Sequence, residues 1–211
     1  MKICVFGSTG KTGLHILRAA LESGHQVTAF ARNPAKIPFT HKSLRVVQGD
    51  ALDAGSVSDA IAGSEAVISL LGVNPKAQAR TFYRSMSNIL GAMKSQSVDR
   101  LVLTAGAGVG DELDGFSMMG SIMGGIIKLI ARSSWEDGVQ TAQLIRDSSG
   151  IRWSMMRIPM LTDESAGGSA VRYGYLGKGS GQKLSREDLA KILLDEIDQG
   201  RFIGKAPVVS N

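Results

Sequence analysis

The chain has 211 residues, 43% hydrophobic and 20% charged, with a mean hydropathy of +0.05; this describes a soluble globular protein with one sizeable core and is short for two domains. Its net charge of +5 is scattered, with no Lys/Arg block and no interleaved aromatic residue, which argues against nucleic acid and leaves a phosphorylated small molecule to account for the bias. A single cysteine, Cys4, rules out an internal disulfide, and no stretch has the length and apolarity of a membrane span or a signal peptide, so a cytoplasmic monomer or homodimer is expected.

The elements alternate along the chain. "KICVFG" (2–7) reads as a short buried strand, and residues 12–22 as a helix with Leu14, Leu17, Ala20 and Leu21 on one face, stopped by Gly24. Strand-like runs follow at 26–32, 44–50, 66–72, 100–106 and 151–159, and "APVVS" (206–210) reads as an added edge strand. Between them lie a short helix capped by Asp53 or Ser56 and a helix over 79–97 with Phe82, Met86, Ile89, Leu90 and Met93 inward. Further helices are expected over 135–149 and, opened by "SRED", over 185–199. Continuous apolar strands alternating with helices predict an α/β fold: a single doubly wound domain over 1–211, with a central parallel sheet, the first strand in the middle and helices on both faces. Segments 107–134 and 161–183 are left for the substrate side. The Met- and Gly-rich run 115–131 reads as a core helix with inserted glycines, or else as an adaptable apolar wall for a flat ligand.

"GSTGKTG" (7–13) joins the first strand to the first helix. Its glycines suit a tight turn, a close backbone approach to a pyrophosphate and close helix–strand packing, and the helix N-terminus offers free N–H groups. The spacing is GxxGxxG, a weak motif alone but a strong one inside a βαβ pattern. An acid at the end of the second strand would bind the ribose 2′-OH of NAD; no Asp or Glu occurs between Glu22 and Asp50, and Arg32 stands there instead, with Lys36 nearby. The expected cofactor is therefore NADP(H). Asp50 is either an acceptor for the adenine amino group, with Leu52 flanking the ring, or an ordinary strand-end cap. Leu71 and Gly72 end the fourth strand where backbone would run along the ribose and diphosphate.

With "FARNPAK", "GDALD", "SLLG", "RLVLTAG", "RIPMLTD" and "LSREDLAKILLDEI", the chain resembles the atypical short-chain dehydrogenases/reductases of Rossmann fold. It is most similar to the flavin reductase (biliverdin reductase B) group and the wider NmrA-like set. The resemblance implies NADPH held by Gly7, Thr9, Gly10, Lys11, Thr12, Arg32, Asp50, Ala51 and Leu52, with Thr104, Pro159, Met160 and Leu161 beside the nicotinamide. It implies hydride transfer to a small aromatic or conjugated substrate such as a flavin or quinone, with Thr104 as an orienting hydroxyl. The alternative is a non-catalytic NADP(H) sensor. The chain departs from the ordinary dehydrogenases of the superfamily, which use Tyr-x-x-x-Lys: Ser87, Gly177 and Gly179 stand four residues after Tyr83, Tyr173 and Tyr175. Biliverdin-reducing relatives carry a histidine where this chain has Met160. His15, His25 and His41 are too dispersed for a metal site, and none is expected near the nicotinamide.

Overall fold

In the computed structural model, residues 1–74, 78–116, 132–168 and 170–211 are described. The segment 117–131, most of the Met- and Gly-rich run, lies outside them. The chain runs β1 (Lys2–Phe6), α1 (Lys11–Glu22), β2 (Gln26–Ala31), β3 (Leu44–Gln48), α2 (Ala54–Ile61), β4 (Ala66–Ser69), α3 (Thr81–Ser95) and β5 (Arg100–Gly106). It continues with α4 (Arg132–Arg146), β6 (Arg152–Ile158), β7 (Leu161–Thr162), β8 (Arg172–Gly174), β9 (Leu184–Ser185), α5 (Arg186–Gln199) and β10 (Val208–Ser210).

Eight strands form one sheet in the order β3-β2-β1-β4-β5-β6-β10-β8, parallel except for the antiparallel β10–β8 pair; β7 and β9 form a small separate parallel pair. Alternation along each strand splits the core. Cys4, Phe6, Leu101, Leu103 and Met155 face α2, α3 and α4, while Ile3, Val5, Val102 and Met156 face α1 and α5. The order reverses at β1, whose neighbours β2 and β4 send the chain outward on opposite sides. That reversal opens a crevice at the carboxyl ends of the strands.

The inward face expected for 79–97 is the one found: Phe82, Met86, Ile89, Leu90 and Met93 are all buried. On α1 the buried face is wider than expected, with Thr12, Gly13 and Ile16 joining Leu17, Ala20 and Leu21 while Leu14 is half-buried. The helix expected to reach 149 ends at Arg146; Ser148 folds back to bond the Ile145 carbonyl through both its N–H and its hydroxyl. β10 is not an edge strand. The irregular segment after 162 returns as β8 and covers it, register Val209 opposite Tyr173. Asp53 caps α2 and Ser185 caps α5 by accepting from Asp188 N–H. At the end of the sheet opposite the crevice, the buried Arg100–Glu196 pair (3.0 Å), joined by Ser154, fastens α5 beneath β5 and β6. That anchor fixes where the first residue of α5, Arg186, emerges.

Candidate dinucleotide cleft

Gly7 leaves β1 with φ +78°, and a Cβ there would lie 3.0 Å from Leu70 Cβ and 3.1 Å from its carbonyl carbon. It therefore supplies both the left-handed turn and the close approach to the β4 terminus. Gly10 N–H closes the turn onto the Gly7 carbonyl at 3.1 Å. A Cβ at Gly13 would stand 2.3 Å from that same carbonyl oxygen, so only glycine lets α1 pack on the loop. At Gly10 a Cβ would meet only the Gly7 oxygen, at 3.4 Å; this face of the loop is open. The buried Ser8 hydroxyl donates to the Phe30 carbonyl (2.8 Å) and pins the loop to β2. No side chain caps α1, and its first turn holds no acid. The helix thus presents bare N–H groups and the positive end of its dipole, the arrangement that binds a phosphate.

Two grooves meet at Gly7. One, about 180 Å³, is lined by seven residues expected from the sequence, Gly7, Thr9, Arg32, Asp50, Ala51, Leu71 and Gly72, together with Phe30, Ala31, Asn74, Thr81, Phe82 and Ser85. The other, about 280 Å³, brings Gly10, Lys11, Thr12, Thr104 and Leu161 together with Gly13, Leu70, Ile158, Arg186 and Leu189. Leu52, Pro159, Met160 and Lys36 line neither groove; Met160 is 58% exposed. The sequence reading did not single out the far wall of the first groove, which comes from the start of α3, or Arg186 and Leu189 in the second. Asp137 of α4 caps α3 by accepting from Phe82 and Tyr83 N–H (3.0 and 2.9 Å), so that helix terminus is already satisfied by protein.

The exposed Arg32 side chain makes no hydrogen bond or ion pair among the described residues, and no carboxylate lines its groove except Asp50. Asp50 does cap its strand end, accepting Leu52 N–H at 2.9 Å through Oδ1, and still lines the groove. The Thr104 hydroxyl, half-buried on the face of β5 turned toward α1, bonds none of the described residues. A glycine cradle with an open face, an uncapped helix and a free cation at the second strand end all fit a phosphorylated dinucleotide.

Around this cleft the charges are arranged in pairs. Asp163 bonds Lys11 Nζ and Arg186 Nη1, each at 2.6 Å. Arg157, fully buried on β6, holds Asp114 through both guanidinium arms (2.8 and 2.6 Å), and Asp114 in turn accepts Leu176 N–H and Asp111 N–H. One ion pair so ties the segments 111–114 and 175–178 to the sheet. Burial pushes the Asp114 carboxyl up, but hydrogen bonds and charge from Arg157 outweigh it and hold the group below the usual carboxylate range. Tyr175, 5.7 Å from the Arg157 guanidinium, has its phenol pushed up by burial and by the Asp111 charge. It is a weaker acid than an ordinary tyrosine, the reverse of what a proton-donating phenol requires. Burial pushes the Cys4 thiol up to about 12, so it packs as a small hydrophobe. The histidines line neither groove, and among the described residues no cluster of His, Cys, Asp or Glu is arranged to hold a metal. No helix among them is long and apolar enough to cross a membrane. A wider concavity of about 450 Å³ lies at the opposite strand ends around Lys2, Thr28, Lys42 and Arg45, where the Arg45 guanidinium is already spent on Thr28 and the Asp59 and Ala60 carbonyls.

Residues 7–200 match the model of a family described as NAD(P)H-binding. A 3-beta-hydroxysteroid dehydrogenase of Mycolicibacterium neoaurum is 31% identical over 116 residues, 49% of this chain and 31% of its own. The chain covers only 31% to 48% of the length of the first curated relatives it matches. Among solved structures, a wide-type short-chain dehydrogenase/reductase of Veillonella parvula in complex with NADP superposes with a TM-score of 0.79, at 16% identity over 100% of this chain and 94% of that one. ChuY, an anaerobillin reductase of Escherichia coli O157:H7, gives a TM-score of 0.76 at 18% identity over 100% and 97%. Identities this low speak for the fold, a Rossmann-type α/β sheet shared with the short-chain dehydrogenases/reductases. With the family match spanning the glycine loop, both grooves and α5, the chain belongs to the NAD(P)H-binding family.

Proposed function

We propose that this protein is an NADPH-dependent reductase that passes hydride to a flat conjugated acceptor of the flavin or quinone class. The observation that carries the reading is the second groove: Leu70, Ile158, Leu161 and Leu189 give it an apolar side away from Lys11 and Arg186, and the hydroxyls of Thr104 and Thr12 bond none of the described residues. In this reading Gly7, Thr9, Gly10, Lys11 and Thr12 hold the diphosphate, Arg32 pairs with the 2′-phosphate, and Asp50 and Ala51 border the adenine. Leu71 and Gly72 run along the ribose. Thr104 and Leu161 border the nicotinamide, with Pro159 and Met160 next to them in the chain but outside the groove lining. The reduced nicotinamide, when bound, supplies the hydride. The chain's task is alignment and exclusion of water; orientation alone supplies roughly 7–11 kcal/mol of barrier lowering in favourable cases. An electron-poor ring needs no protein acid to accept hydride, since solvent protonates the product. An isolated ketone does need one, and the groove offers no phenol. That same scarcity of proton donors favours the second reading, a non-catalytic NADP(H) sensor of the NmrA type.

The test is the loss of NADPH absorbance with FMN, riboflavin, a quinone, biliverdin and a simple ketone offered in turn. Turnover of a flavin or quinone without turnover of the ketone is expected. Tight NADPH binding with no turnover of any acceptor would replace the reductase by the sensor.

A further inference from the structure

Asp163 closes "RIPMLTD" directly after β7, and both its carboxylate oxygens are taken by cations of the second groove. Oδ2 accepts from Lys11 Nζ and Oδ1 from Arg186 Nη1, each at 2.6 Å. Lys11 begins α1 and Arg186 begins α5, so two helix starts are bridged by one carboxylate from a third segment. The Arg186 side chain makes no other hydrogen bond among the described residues, and it lines the groove together with Gly10 and Thr12.

We propose that Asp163 is the resident counterion of the diphosphate site: it occupies Lys11 and Arg186 while no dinucleotide is bound, and gives them up when one binds, which makes Arg186 a phosphate-binding residue. This rests on the dinucleotide reading of the cleft. The competition is physically one-sided. Asp163 bonds the two side chains but none of the N–H groups of the first turn of α1. A diphosphate carries more charge, has more acceptor oxygens and engages those N–H groups as well. The Lys11 and Asp163 side chains are 70% and 59% exposed, so water screens their pairing and the carboxylate is easily displaced. The Lys11 hydrogen bond, helped by the Arg186 charge, holds the Asp163 carboxyl below its ordinary value, so the competitor stays charged at neutral pH.

The segment that carries Asp163 does not depend on it for docking. Ala166 N–H bonds Glu187 (3.0 Å), Gly167 N–H bonds Asp188 (3.2 Å), and Lys183 pairs with Glu164 (2.8 Å). Replacing the carboxylate therefore frees the cations without releasing the segment from the start of α5.

Calorimetric titration of inorganic pyrophosphate and of NADPH into the wild type, Asp163→Asn, Arg186→Gln and the double variant tests this. Asp163→Asn should tighten pyrophosphate by about threefold to tenfold, the scale of one exposed ion pair and one whose arginine is half-buried. Arg186→Gln should weaken it by about tenfold and remove most of the gain from Asp163→Asn in the double variant. Pyrophosphate binding that is unchanged, weaker or undetectable in Asp163→Asn overturns the proposal, and a full gain in the Arg186→Gln background overturns the role of Arg186. Tightened pyrophosphate with no NADPH binding in any variant upholds the counterion and refutes the dinucleotide reading.

Discussion

Replacing Arg32 by alanine isolates the selectivity claim. The side chain is exposed, lines the first groove and makes no bond among the described residues, so its loss should leave stability within about 0.5 kcal/mol of the wild type. Its contribution is then confined to the ligand. A charge-assisted hydrogen bond contributes roughly 1.5–3 kcal/mol, and solvent exposure puts this one at the lower end. That corresponds to about a tenfold loss of NADPH affinity, since 1.4 kcal/mol is a factor of ten. NADH lacks the 2′-phosphate and should lose no more than twofold to threefold, from stacking of the guanidinium on the adenine. Titration calorimetry with both dinucleotides at two salt concentrations checks the origin as well as the size: the NADPH preference should shrink as salt rises. Equal wild-type affinities for the two dinucleotides would refute the reasoning. So would an Arg32→Ala variant that loses both equally, because the residue would then serve the adenosine and not the phosphate.

Two further outcomes follow from the geometry. Gly13→Ala puts a methyl 2.3 Å from the Gly7 carbonyl oxygen, so despite the better helix propensity of alanine it should destabilise by about 1–2 kcal/mol and weaken NADPH more than tenfold; Gly10→Ala, with 3.4 Å available, should fold normally and lose only ligand affinity, and thermal melts beside titrations separate the two. Asp114→Asn leaves the fully buried Arg157 without its counter-charge and should cost about 3 kcal/mol, or roughly 6–12 °C in melting temperature. Because the folded Asp114 carboxyl is held below its unfolded value, the stabilisation is complete above the unfolded value near pH 4 and disappears as pH falls through the lower folded one. Melting curves of the two proteins should therefore converge below about pH 4 and stay apart at pH 7; a gap that persists unchanged into acid would contradict the ion-pair account.

The sheet was legible in the sequence because parallel strands buried on both faces are nearly continuous apolar runs. "ICVF", "AVIS" and "LVL" leave no other reading once helices of 3.6 periodicity separate them. The exceptions have local causes. β8 is three residues long and "RYG" has no periodicity to detect, so the strand it covers, β10, read as an edge.

The cleft was legible on the side where the chemistry is local. Gly7, Gly10 and Gly13 act within a seven-residue loop, and Arg32 and Asp50 sit at strand ends whose positions the sheet order dictates. Its surroundings are held by pairs far apart in the chain: Lys11 with Asp163, Arg157 with Asp114, Asp137 with the start of α3. A lone aspartate in a loop carries no mark of its partner, since the partner is chosen by the crossing of helices and not by spacing. Yet these pairs decide what the cleft can do. Asp137 withholds the start of α3 from ligands, Asp114 spends the charge of Arg157 on tying two loops to the sheet, and Asp163 alone is exposed enough to give up its cations. Arg32 is open to a phosphate from the start, whereas the charge at the helix starts is set by whether its carboxylate can leave, and of these three pairs the one bridging Lys11 and Arg186 is the exposed one.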